Sequence, residues 1–121
     1  MKILLLDDEE NILSSMKRAL ERLNHVVDCS NNAKDALAVV EKGDYDFALV
    51  DYMMPENDGI WFMRHAKLPK KTKVLLVTAF VNRQVIDEMF KLGACGYLIK
   101  PIDSKELSMH FEFHSQPRPA E

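Results

Sequence analysis

The chain has 121 residues, 47% of them hydrophobic, a net charge of -3 and two cysteines. That length suits one domain with a real core and hardly two, and the charge excludes a general pull toward nucleic acid or anionic membrane. Cys29 and Cys95 lack CxxC spacing, so they read as small buried hydrophobes in a reducing cytoplasm rather than a disulfide or zinc site.

The N-terminal "MKILLLDDEE" holds too short an apolar run for a signal peptide or a membrane span, and a soluble, cytoplasmic protein is expected. Its run at 2–6 predicts a strand that ends on Asp7 and Asp8. Residues 10–23 place Ile12, Leu13, Met16, Ala19, Leu20 and Leu23 in one apolar stripe, which predicts a helix. "HVVDC" (25–29) is a mixed strand and is placed at an edge. Residues 32–42 form a second helix stopped at Gly43. "DFALV" (46–50) predicts a buried strand that runs into Asp51, and "YMMPENDG" then turns the chain into a short helix over 58–66. "KLPKKTK" (67–73) is the densest basic patch and reads as a solvated loop.

"KVLLV" (73–77) delivers Thr78. Residues 82–92 carry Val85, Ile86, Met89 and Phe90 at helical spacing, with Gly93 as the stop. "CGYLI" (95–99) delivers Lys100 and Pro101. The strands other than the second lack polar alternation, which predicts parallel strands covered on both faces. Asp103 followed three residues later by Glu106 predicts a capping box opening a helix over 104–114, although "LSMHFEF" alternates like a strand. The domain is expected over 1–114, with 115–121 a flexible tail or the start of a truncated linker.

Five strands alternating with five helices make an α/β fold with a parallel sheet between helical layers. In such sheets ligands bind beyond the carboxyl ends of the strands. Asp7, Asp8, Asp51, Thr78 and Lys100 all stand at those ends. If the first and third strands are neighbours, three carboxylates converge, and carboxylates that close must raise a pKa or recruit a cation. An all-oxygen ligand set with room for water fits Mg²⁺ better than Zn²⁺, and Mg²⁺ so held completes its shell with waters and phosphate oxygens. A carboxylate can itself accept a phosphoryl group. Asp51 is the central candidate, with Lys100 and Thr78 to hold phosphoryl oxygens and the Met53 carbonyl to turn toward the metal.

"LLLDDEE", "LVDYMMPENDG", "LLVTAF" and "GACGYLIKPID", in this order and spacing, resemble the receiver domain of two-component response regulators, the CheY-like family, over residues 2 to 112. The resemblance implies a flavodoxin-like (βα)5 three-layer sandwich with sheet order 2-1-3-4-5 and a Lys100-Pro101 cis peptide. It implies Asp51 as phosphoacceptor, with Asp8, Asp51 and the Met53 carbonyl as direct Mg²⁺ ligands and Asp7 acting through water; Mn²⁺ can substitute. Thr78 and Tyr97 become the switch pair. A histidine kinase or histidine phosphotransfer protein becomes the donor. The surface of the fourth helix, fifth strand and fifth helix becomes the output face and a possible homodimer interface, with no direct binding of nucleic acid or membrane. Met53 and Phe80 take the positions that tune dephosphorylation, and being apolar they imply slow phosphate loss. The family is a signalling switch rather than an enzyme, apart from its self-catalysed phosphorylation and dephosphorylation.

Three other functions compete less well. A receiver fold used only for phosphorylation-independent docking predicts damage in the acid set, and the set is intact. A phosphatase of the haloacid dehalogenase type wants Asp-x-Asp, but position 53 is Met. An FMN site wants a small, hydroxyl-rich phosphate loop, whereas "DDEE" repels phosphate. Of the histidines, His110 and His114 stand four apart on the last helix, a spacing that can hold a metal; with no wider ligand pattern they read as chance.

Overall fold

The computed structural model describes residues 1–115. Five strands alternate with five helices: β1 Lys2–Leu6, α1 Glu10–Arg22, β2 Val26–Ser30, α2 Ala33–Lys42, β3 Phe47–Asp51, α3 Gly59–His65, β4 Lys73–Thr78, α4 Arg83–Lys91, β5 Ala94–Ile99 and α5 Ser104–Ser115. All pairings are parallel and the sheet order is β2-β1-β3-β4-β5, as expected. Ser115, expected in a tail, is instead the last residue of α5; the other residues of the expected tail, 116–121, lie outside the described residues.

Period-two alternation divides the core into two halves. Leu4, Leu6, Ala48, Val50, Val74 and Leu76 face the side covered by α2, α3 and α4. Ile3, Leu5, Phe47, Leu49, Leu75 and Val77 face α1 and α5, where they meet Leu13, Leu20, Leu107 and Phe111. β3 is buried at all five positions. It can have no polar alternation because helices cover both of its faces.

Two expectations about the sheet need correction. β5 is not covered on both faces: it is the second edge, and Tyr97 and Ile99 are exposed while Gly96 and Leu98 are buried. Its apolar side chains hid that alternation. Cys29 is not a buried hydrophobe but exposed, as its place on edge strand β2 allows, and Cys95 is half-buried; both are free thiols.

α5 explains the strand-like run at 107–113. Leu107 and Phe111, four apart, face the core, while Met109 and Phe113 are exposed on another side. The alternation comes from a helix with two apolar sides. Asp103 caps α5 by accepting the Lys105 amide at 2.9 Å, a shorter cap than the reciprocal box expected with Glu106. Leu23 and Phe90, assigned to apolar stripes, are exposed at the ends of their helices.

Candidate functional site

The strand ends bring the expected residues together. Asp51 is the last residue of β3, and its neighbour Tyr52 is fixed twice: the Tyr52 amide donates to the Val77 carbonyl at 3.1 Å, and the Tyr52 carbonyl accepts the Gly59 amide at 3.0 Å. The loop reverses at Glu56, whose φ of 68° is left-handed. Asp58 then caps α3 through the Trp61 amide at 2.9 Å. Gly59 lies against the back of the site, where a Cβ would stand 2.7 Å from the Asp51 carbonyl oxygen. Its role is close approach, not the turn the sequence suggested.

Asp7 is buried between two partners. One carboxylate oxygen accepts the Glu9 amide at 2.9 Å; the other accepts the Lys100 ammonium at 2.8 Å. Glu9 occupies the N-cap of α1 but makes no side-chain cap bond, so the acid run is not simply a helix cap. Oxygens from Asp7, Asp8 and Asp51 lie within 4.8 Å of one another. Asp7 and Asp51 are buried and Asp8 is half-exposed.

Lys100 follows β5, its amide donating to the Thr78 carbonyl at 2.8 Å, and the Lys100-Pro101 peptide is cis. Its ammonium bridges Asp7 at 2.8 Å and Asp51 at 3.3 Å, with exposed Glu9 at 4.0 Å. One ammonium cannot neutralise three carboxylates. Burial, and then the charge of Asp7, push the Asp51 carboxyl up to about 6, with Lys100 pulling the other way. Burial alone would lower the Lys100 pKa, but Asp7 and Asp51 outweigh it and the net shift is upward.

Thr78 is placed at the site but engaged elsewhere. Its hydroxyl donates to the Phe80 carbonyl at 2.8 Å and accepts the Phe80 amide at 3.2 Å. Tyr97 is not at the acid cluster: it lies on the outer face of β5, edge-on to Phe90 with ring centroids 6.5 Å apart. Met53 and Phe80 are 57% and 69% exposed, so packing fixes neither side chain.

A hard dication fits this donor set. The three carboxylates supply oxygen only, and half-exposed Asp8 leaves water access. The excess negative charge left by Lys100 is what such an ion would neutralise.

The comparisons agree with this geometry. Residues 3–112 match the response regulator receiver domain family. The chain is 34% identical over 106 residues to the transcriptional regulatory protein ResD of Bacillus subtilis, covering 88% of this chain and 44% of that protein. It is 33% identical over 109 residues to the regulatory protein AtoC of Escherichia coli, covering 89% of this chain and 24% of that protein. The chain thus spans less than half the length of these relatives. A CheY-like receiver domain from Methanospirillum hungatei superimposes with a TM-score of 0.87 at 27% identity, over 93% of this chain and 91% of that one. With its sheet order, its strand-end acids and this match over nearly its whole length, the chain belongs to the response regulator receiver domain family and is a CheY-like signalling module.

Proposed function

We propose that this domain, residues 1–115, takes a phosphoryl group onto Asp51 and uses it to switch its α4-β5-α5 surface. The observation that carries this reading is the acid cluster: three carboxylates within 4.8 Å at the ends of β1 and β3, tethered by one ammonium from the end of β5.

The donor is a phosphohistidine of a histidine kinase or a histidine phosphotransfer protein. A carboxylate oxygen of Asp51 attacks phosphorus, the bond from phosphorus to the donor's imidazole nitrogen breaks, and that nitrogen leaves with the electron pair. Asp8, Asp51 and the Met53 carbonyl, with Asp7 acting through water, would hold Mg²⁺, which would supply charge neutralisation for the attacking carboxylate and the phosphoryl oxygens; Mn²⁺ could replace it. Lys100 is close enough to both Asp7 and Asp51 to transfer its ammonium from carboxylate to phosphoryl oxygen with little movement.

The switch begins from Thr78. Its bonds to the Phe80 backbone and the exposure of Tyr97 support reading this arrangement as the resting one. A dianion at Asp51 gives the Thr78 hydroxyl a stronger acceptor than the Phe80 carbonyl. Thr78 then moves inward, the β4–α4 loop follows, and Tyr97 occupies the space released. This is a shift between two packings, biased by a differential hydrogen bond. The face that repacks is also the proposed homodimer surface, in a cytoplasmic protein that contacts neither membrane nor nucleic acid through this domain.

Exposure to acetyl phosphate or phosphoramidate with Mg²⁺, read by intact mass, tests the reading. It requires one Mg²⁺-dependent phosphoryl adduct that disappears in Asp51→Asn. An adduct that persists in that variant would move the acceptor elsewhere.

A further inference from the structure

The exposed edge of the sheet carries a second convergence of ligand atoms. Gly96 lies in β5 opposite Leu75, beneath the last turns of α5. A Cβ built on Gly96 would stand 3.2 Å from His114 Nε2 and 3.5 Å from His110 Nδ1. Two imidazole nitrogens from successive turns therefore converge on the space left by one missing side chain. The rings are near-parallel, 24° apart in plane, with centroids separated by 5.8 Å, as residues four apart on one helix face allow. Both histidines are half-buried. They line an open groove of about 560 Å³ together with Glu106, one turn before His110, and Tyr97.

Imidazole nitrogen suits zinc, copper and nickel and is a poor ligand for Mg²⁺, so this groove and the acid cluster select different ions. Burial, then His110 and Lys73, lower the His114 pKa, which leaves its lone pair available near neutral pH. Lys73 also opposes a second cation, and Glu106 in the same groove offsets it. Among the described residues only Asp7, Asp8 and Asp51 bring three ligand atoms within 4.8 Å of one another. The histidine pair is thus a two-ligand chelate, of correspondingly modest affinity.

We infer that His110 and His114 form a bidentate site for a divalent transition ion of the zinc, copper and nickel class, with water completing its shell. Such an ion would sit one residue along β5 from Tyr97 and fix the last two turns of α5 on the surface the domain presents to partners. The site stands independently of phosphorylation at Asp51.

The test is calorimetric titration of Zn²⁺ into the full chain under saturating Mg²⁺, which keeps the acid cluster filled. His110→Gln, His114→Gln and Asp51→Asn are titrated beside it, each first shown by urea unfolding to be folded. One Zn²⁺ bound per chain, weakened about tenfold or more in either histidine variant and retained in Asp51→Asn, is expected. Absence of Zn²⁺ binding to the wild type, or binding to either histidine variant as tight as to the wild type, would overturn the inference.

Discussion

Replacing Asp51 with Asn should stabilise the metal-free domain, even though Asp51 is the residue on which signalling is proposed to depend. The carboxyl is 3% exposed, and burial and Asp7 raise its pKa from 3.8 to about 6. A tenfold change in an ionisation constant is about 1.4 kcal/mol, so ionising Asp51 in the native state costs about 3 kcal/mol at pH 7. The opposing pull of Lys100 is already contained in that shift. The sign follows from proton uptake. Below pH 3.8 both folded and unfolded chains hold this proton and there is no penalty. Between 3.8 and about 6 the unfolded chain has released it while the native state retains it, so stability falls as pH rises. Above that window the penalty is complete. Asn has the shape of the neutral acid and escapes all of it. Urea unfolding followed by far-ultraviolet circular dichroism should give Asp51→Asn about 2–3 kcal/mol more stability than wild type at pH 7, with the advantage shrinking toward zero near pH 4. Mg²⁺ should narrow the gap by binding the native wild type. A variant less stable than wild type at pH 7, or an advantage independent of pH, would refute the electrostatic account of the site.

Other perturbations test other parts. Lys100→Met removes the only ammonium that bridges buried Asp7 and Asp51 among the described residues; it should cost about 3 kcal/mol at pH 7 in urea unfolding, and Mg²⁺ should recover part of it. Gly59→Ala drives a methyl to 2.7 Å from the Asp51 carbonyl oxygen and should cost about 1–3 kcal/mol while slowing Mg²⁺-dependent phosphorylation, read by intact mass. Phe111→Ala opens a cavity in the α1/α5 half of the core and should cost about 3–5 kcal/mol without changing the phosphoryl adduct at temperatures where the variant is folded. Met53→Asn and Phe80→Glu each introduce a polar group at a position that the family resemblance assigns to tuning dephosphorylation, and should speed loss of phosphate after the donor is removed; unchanged decay in both would show that these positions do not set the lifetime.

The strand ends were readable because the covered strands are short apolar runs closed by residues of a different chemistry. Asp7, Asp51 and Lys100 therefore announced themselves by position. β5 was misread because its outward residues, Tyr97 and Ile99, are apolar despite their exposure, and composition cannot separate a covered face from an exposed apolar one. The same ambiguity made α5 resemble a strand. The engagement of Thr78 by the Phe80 backbone has no sequence signal, because a threonine hydroxyl finds local backbone partners in many contexts. Gly59 was assigned to the turn, yet the left-handed residue is Glu56. What fixes Gly59 is a tertiary approach to the Asp51 carbonyl, which no local pattern reports. The histidine pair gave its spacing in the sequence, but its convergence over Gly96 depends on how α5 packs across β5.

The central claim is that Asp51 accepts the phosphoryl group. Borohydride reduction of the phosphorylated protein converts an aspartyl phosphate to homoserine, and peptide mass spectrometry then locates the altered residue. The account predicts homoserine at position 51 alone, formed only when both phosphodonor and Mg²⁺ were present. Homoserine at Asp7 or Asp8 with Asp51 unmodified would contradict it.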